Sequence, residues 1–150
     1  LKAIIDFAIE KEKEAADFYE EVSQDESMLG AKQMLKEFAQ EERKHQALLE
    51  NMLKKGVAES VAGYSFKWIK DLKRSNYVAD IEYRKGMGYN DVLLVAMKRE
   101  EKALALYNTL LDKAENPAQK DIFKMLCQEE AKHKLALETL FDDYMAEMGD

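Results

Sequence analysis

Apolar residues recur at intervals of three and four along most of the chain, the signature of helices with one buried stripe. In the first segment the stripe is Ile5, Ala8, Glu12, Ala15, Tyr19 and Val22, which predicts a helix over 1–22. The stretch 23–27 is short and polar, so a second helix should return antiparallel to the first. Its stripe is Ala31, Leu35, Phe38, Glu42, His45, Leu49 and Met52, and it should run to about Lys55 with Gly56 as the stop signal. A third stripe comprises Leu93, Ala96, Glu100, Ala103, Tyr107, Leu110 and Ala114, with Asn90 as the expected N-cap and Asp91 in the first turn. Asn116-Pro117 then gives a cap and a first-position proline for a fourth helix. Its stripe is Phe123, Leu126, Glu130, His133, Leu137, Leu140 and Tyr144, and 148–150 reads as a frayed end.

The segment 57–89 has no clear period. It holds Tyr64, Phe66, Trp68, Tyr77, Tyr83 and Tyr89, with glycines at 63, 86 and 88. It is too long for a hairpin loop and too aromatic for a disordered linker. We read it as an ordered crossover with a short helix near 66–72, its aromatics capping the bundle or a dimer contact. Such a crossover can run the length of a bundle, so the second and third helices can be parallel. The expected fold is all-α, a four-helix bundle of two antiparallel pairs joined by that crossover, in one domain over 1–150.

Two carboxylates on core stripes are unusual, and four with both of the chain's histidines are more so. They fall into a repeat. Glu42-Arg43-Lys44-His45 and Glu130-Ala131-Lys132-His133 are both Glu-x-x-His, offset by 88 positions and preceded by Gln40-Glu41 and Gln128-Glu129. The same offset carries Glu12 onto Glu100 and Tyr19 onto Tyr107. Two copies are too few for a solenoid, but they suit a pseudo-symmetric bundle with a site shared between its halves. On a helix, residues three apart share a face, so each motif offers a carboxylate and an imidazole side by side. The spacing selects Glu42 over Glu41 as the inward carboxylate and turns Arg43 and Lys44 outward.

Burying an unpaired carboxylate costs several kcal/mol. Four would cost on the order of 10–20 kcal/mol, which matches or exceeds a domain's whole stability of about 5–15 kcal/mol. None of the stripe positions carries a lysine or arginine to offset this. Two divalent cations would balance four carboxylates. A Glu from each of two helices with Glu-x-x-His from each of the other two is the ligand set of di-iron and di-manganese bundles. The expected ligands are Glu12, Glu42, His45, Glu100, Glu130 and His133, with Glu42 and Glu130 bridging and Glu12 and Glu100 terminal. Tyr19 and Tyr107 begin two turns beyond Glu12 and Glu100, and helical side chains lean towards the N-terminus. Each hydroxyl is therefore expected to reach back to its own Glu. A closed tetrahedral zinc site would be overfilled by six ligands.

Composition narrows the class further. Net charge is −7, which argues against nucleic acid as a partner. The one cysteine, Cys127, excludes an intrachain disulfide and a Cys-x-x-Cys iron site, fits a reducing, cytoplasmic setting, and is expected to be buried and structural. No apolar run approaches membrane-spanning length, so no membrane association is expected.

The Glu12…Tyr19, Glu42-x-x-His45, Glu100…Tyr107 and Glu130-x-x-His133 pattern resembles the di-iron domain of the rubrerythrin-like branch of the ferritin-like superfamily. The resemblance covers nearly all of the chain except the crossover. It implies a ferritin-like bundle holding two iron ions, with manganese as the alternative. Two features differ from rubrerythrins proper: the four cysteines of a rubredoxin domain are lacking, and Ala103 stands where that family has an additional Glu. Bacterioferritins place a haem-binding Met directly after the first motif Glu, where this chain has Arg43, so no haem is expected.

The leading expectation is a non-haem di-iron redox protein, an oxidoreductase acting on hydrogen peroxide or dioxygen. It would use an external electron donor such as a rubredoxin-like protein and form a homodimer. An iron-storage protein with ferroxidase activity predicts a large hollow oligomer. A di-manganese catalase-like enzyme predicts disproportionation without a reductant. A structural bundle predicts no metal at all.

Overall fold

A computed structural model describes residues 2–55, 82–114 and 117–149. The expected short helix at 66–72, the aromatics Tyr64, Phe66, Trp68 and Tyr77, the stop at Gly56 and the cap at Asn116 lie outside the described residues. Among the described residues the structure is all-α, and four long helices form a four-helix bundle. Helix α1 is Lys2–Ser23 and α2 is Lys32–Lys55. Helix α3 is Tyr89–Lys113 and α4 is Pro117–Gly149. None of them is long and apolar enough to cross a membrane.

Local chemistry sets the boundaries. A 3-10 turn, Glu26–Ala31, links α1 to α2, and the Asp25 side chain caps it by accepting from the Ser27 N–H at 3.0 Å. Lys54 and Lys55 in the last turn of α2 face the negative end of its dipole. Before α3, Met87 N–H donates to the Arg84 carbonyl at 3.2 Å, with Gly86 at φ 96. That left-handed conformation suits a residue without Cβ. Gly88 rather than Asn90 is the N-cap of α3, and it makes no side-chain cap bond. Asn90 lies inside the helix because Gly88 already has the extended backbone a cap needs (φ −72, ψ 168). Pro117 opens α4 as expected, and the frayed end is not seen, since that helix continues to Gly149.

Helices α1 and α2 pack as one hairpin and α3 and α4 as another, with α1 also against α3. Cross-bundle contacts fix the directions. Tyr19 meets Glu100 while Tyr107 meets Glu12, so α1 and α3 run antiparallel. His45 meets Glu130 while His133 meets Glu42, so α2 and α4 are also antiparallel. With antiparallel hairpins, α2 and α3 are therefore parallel.

The core is layered along the bundle axis. One apolar cluster includes Ile5, Ala8, Leu49, Tyr107, Leu110, Phe123 and Leu126. The other includes Leu93, Ala96, Leu137, Tyr19, Val22, Leu35 and Phe38. Adding or subtracting 88 carries each residue of the first set onto one of the second. The offset therefore acts as a two-fold axis across the bundle, exchanging its two apolar layers. The polar stripe residues lie between those layers. Tyr83 and Tyr89, the described aromatics of the crossover segment, pack on the bundle through Phe18 at 5.6 Å and Tyr144 at 5.1 Å.

Candidate metal centre

Each of the six expected ligand residues is at most 3% exposed: Glu12, Glu42, His45, Glu100, Glu130 and His133. The helical period puts them on the inner stripes, and the bundle brings the stripes together at mid-length. Their donor atoms form two quartets, Glu12, Glu42, His45 and Glu130 in one, Glu42, Glu100, Glu130 and His133 in the other. Within each quartet the donor atoms lie within 4.8 Å of one another, and Glu42 and Glu130 belong to both.

The quartets obey the 88-residue relation closely. His45 Nδ1 lies 3.0 Å from Glu130 Oε1, and His133 Nδ1 lies 2.9 Å from Glu42 Oε1. His45 Nδ1 is 3.5 Å from Glu12, and His133 Nδ1 is 3.5 Å from Glu100. The imidazole rings are 6.3 Å apart.

Tyr19 and Tyr107 do hydrogen-bond to the terminal carboxylates, but not to their own. The Tyr19 hydroxyl donates to Glu100 and the Tyr107 hydroxyl donates to Glu12. The expected pairing within each helix is thus exchanged between α1 and α3. Seven residues span roughly 10 Å along a helix, more than the backward lean of a tyrosine covers. The antiparallel neighbour instead places the opposite Glu at the same height.

The electrostatics of this cluster split the carboxylates into two kinds. Desolvation and the negative charges of Glu12 and Glu100 push the Glu42 carboxyl well above its ordinary pKa. Glu130 rises likewise through desolvation and the charges of Glu100, Glu42 and Glu12. Desolvation opposes ionisation at Glu12 as well, but the charge and hydrogen bond of His45 and the bond from Tyr107 hold it below the ordinary range. At Glu100 desolvation is likewise outweighed, by hydrogen bonds and by the charge of His133. His133 is raised well above its usual value: burial opposes its charge, but Glu100, Glu41 and Glu130 outweigh that.

These donors fit a pair of metal ions. Glu12 Oε2, Glu42 Oε1, Glu100 Oε2, Glu130 Oε2 and His133 Nδ1 are all buried without a hydrogen-bond partner. His133 Nδ1 and Glu42 Oε1 are close but misaligned for a hydrogen bond. Buried polar atoms left unpaired are costly. These five belong to one cluster of oxygen and nitrogen donors, the ligand types of divalent first-row metals.

A cavity of about 1070 Å³ opens between α1 and α3 onto this cluster. Glu12, Glu42, Glu100 and Glu130 line it, with Ala15, Val95, Ala103 and Leu106 as apolar walls. Ala15 and Ala103, expected on the core stripes, are only half-buried because they border this opening. The two alanines are related by the 88-residue offset, and their small side chains leave room between the helices.

Three charged residues, Glu41, Lys134 and Glu138, escaped the helical spacing. Glu41, read as outward, is half-buried and accepts from His133 Nε2 across the bundle. Its signal was the doubled Glu41-Glu42, the same as Glu129-Glu130, but a stripe of period 3.5 accommodates only one of each pair. Lys134 and Glu138 are buried on α4, one turn apart and off the stripe. Arg43 does face outward, where it pairs with Asp17 at 2.5 Å and Glu20 at 3.1 Å. Cys127 is buried, as expected, and burial pushes its thiol up to about 11.

A family model described as Rubrerythrin matches residues 3–141. No curated protein and no solved structure matches the chain.

Proposed function

The chain belongs to the rubrerythrin family, and from that premise we propose that it is a non-haem di-iron oxidoreductase acting on hydrogen peroxide or dioxygen. The observation that carries this reading is the pair of buried donor quartets sharing Glu42 and Glu130. Glu12 and His45 would hold one ion, Glu100 and His133 the other, and Glu42 and Glu130 would be shared between the two. Two adjacent irons would supply redox electrons and Lewis acidity for breaking an O–O bond.

The protein's own residues supply orientation and access. Tyr19 and Tyr107 hydroxyls donate to Glu100 and Glu12, which orients each terminal carboxylate and leaves Oε2 of each free for ligation. Both phenols keep their protons. Desolvation, with Glu100 beside Tyr19 and Glu12 beside Tyr107, pushes their pKa values well above the ordinary one. They therefore act as hydrogen-bond donors at the carboxylate oxygens. The apolar layers above and below close the two ends of the bundle over these residues, and the cavity between α1 and α3 admits a small molecule to them.

Reduction of one peroxide to two waters consumes two electrons and two protons, so an external donor such as a rubredoxin-like protein is required. A cytoplasmic homodimer completes the proposal, the free thiol of Cys127 being suited to a reducing compartment.

The test is elemental analysis of anaerobically purified protein, with optical spectra before and after peroxide. Two irons per chain, with a visible absorption change on oxidation and its reversal by reduced rubredoxin, are expected. Two manganese ions with disproportionation in the absence of a reductant would replace the reading by a catalase-like one. Absence of metal and of uptake from Fe(II) or Mn(II) would overturn it.

A further inference from the structure

The two histidines are equivalent in sequence but not in surroundings. His133 presents Nδ1 to the carboxylate cluster and Nε2 to Glu41 of α2. Its ring also stacks on Phe38, with centroids 4.0 Å apart and planes at 20°. His45 likewise presents Nδ1 to the cluster, and all three of its carboxylate neighbours meet that same nitrogen. Under the 88-residue offset the mate of Glu41 is Glu129 and the mate of Phe38 is Leu126. Among the described residues, neither Glu129 nor any other carboxylate pairs with His45 Nε2.

We propose that Glu41 is a positioning residue for one metal position only, so that the two ions are held unequally and load in order, the His133 position first. The inference rests on the metal reading above. A neutral imidazole carries one ring proton. A carboxylate accepting Nε2–H places that proton on Nε2, leaves the Nδ1 lone pair free for a metal, and makes the ring a stronger donor. His133 receives all three effects from Glu41, and the stacked Phe38 holds the ring plane. Among the described residues, no such partner selects the tautomer and orientation of His45. Glu41 is half-exposed on α2, so its replacement leaves the buried ligands in place.

Cobalt(II) titration of the metal-free chain tests this, because each bound ion reports itself in visible absorption. The wild-type chain should bind two Co(II) in resolved phases. Glu41→Ala should weaken the tighter phase about 10- to 100-fold, the range for losing a ligand's hydrogen-bond partner. The weaker phase should be unmoved, and Glu41→Gln, which keeps an acceptor oxygen but not the charge, should fall between. Glu129→Ala should move neither phase.

A second readout follows each imidazole separately. Co(II)-bound imidazoles give hyperfine-shifted N–H proton resonances. One of the two should exchange slowly in D2O in the wild-type chain and rapidly in Glu41→Ala. Two indistinguishable phases in the wild type, or equal weakening of both phases by Glu41→Ala, would overturn the inequality while leaving the metal reading intact. An unchanged exchange rate in Glu41→Ala would overturn the role of Glu41. No Co(II) uptake by the wild-type chain would instead strike the metal reading itself.

Discussion

The two halves of the bundle agree closely at the centre and part company one layer out. Across the 88-residue offset, the His-to-carboxylate distances are 3.0 and 2.9 Å to the shared Glu and 3.5 Å to each terminal Glu. Around them, Phe38 stands against Leu126, Arg43 against Ala131, and Asp25 against Lys113. The central layer repeats as a pair of like ions would require, with the same donor types at the same distances. The layer outside answers to local packing: Phe38 lies in the apolar cluster with Leu35 and Leu93, Leu126 in the one with Leu49 and Leu110. A symmetric motif thus builds an asymmetric site, and the asymmetry lies in residues that are not ligands.

The largest expected effect tests the symmetric part. If Glu42 and Glu130 both bridge, Glu42→Ala and Glu130→Ala should each empty both positions, and to the same degree. Elemental analysis of the two variants after loading with Fe(II) checks this. Loss of one metal per chain in either variant would confine that Glu to a single position and break the equivalence of the halves.

Removing the metals from the wild-type chain comes next. Ions present at a thousand times their dissociation constant stabilise a folded chain by about 4 kcal/mol, so chelation should lower the melting temperature clearly. The pH dependence should reverse as well. In the metal-free chain the raised carboxyls of Glu42 and Glu130 contribute stability that is complete below their unfolded pKa and lost as pH rises through the folded one. The raised His133 contributes with the same sign. Glu12 and Glu100 are lowered, and their contribution is lost only as pH falls through their folded values. Metal-free protein should therefore melt at lower temperature as pH rises from the ordinary carboxylate range towards the raised values of Glu42, Glu130 and His133. Metal-loaded protein should do the reverse, because protons compete for the same donors. Parallel slopes with and without chelator would show that these residues do not bind the ions.

Much of this was legible in the sequence. The stripes of period 3.5 located four helices, and the 88-residue offset picked out the six side chains that meet at the centre and their two-fold relation. What was not legible depends on neighbours in space. The exchange of Tyr19 and Tyr107 between Glu12 and Glu100 follows from the antiparallel crossing of α1 and α3, which no single-helix spacing encodes. Glu41 sits at the edge of its stripe, where only the position of α4 decides whether it meets solvent or His133. Gly88 displaced Asn90 as the cap because backbone conformation, not side-chain preference, ended the loop there.

The tyrosines give a smaller and sharper test of the comparison. Tyr19→Phe and Tyr107→Phe each remove one donor to a buried carboxylate, and each should cost about 2 kcal/mol, as hydrogen bonds to charged groups do. Metals should be retained in both, with altered oxidation kinetics. Equal costs in chemical denaturation would extend the two-fold relation from the ligands to the residues that hold them. Unequal costs would move the boundary of the symmetric layer inward to the six ligands.

The smallest effect belongs to the link between α1 and α2, which has no equivalent among the described residues of the other half. The Asp25 carboxylate accepts from the Ser27 N–H and hydroxyl at 3.0 and 2.9 Å and from Tyr83 at 3.2 Å. Those bonds, the one from the Ser27 backbone first, hold its pKa below the usual value. Losing a cap of this kind costs about 1 kcal/mol, so Asp25→Ala should lower stability by that amount at neutral pH. Because the folded pKa is depressed, the contribution is present above the unfolded pKa and lost as pH falls through the folded one. Wild type and Asp25→Ala should therefore converge in strong acid. Lys113→Ala, at the related position closing α3, should show no such convergence, since the side chain removed there is not a carboxylate. A difference between wild type and Asp25→Ala that persists unchanged into acid would assign the cost to packing of the turn rather than to its cap.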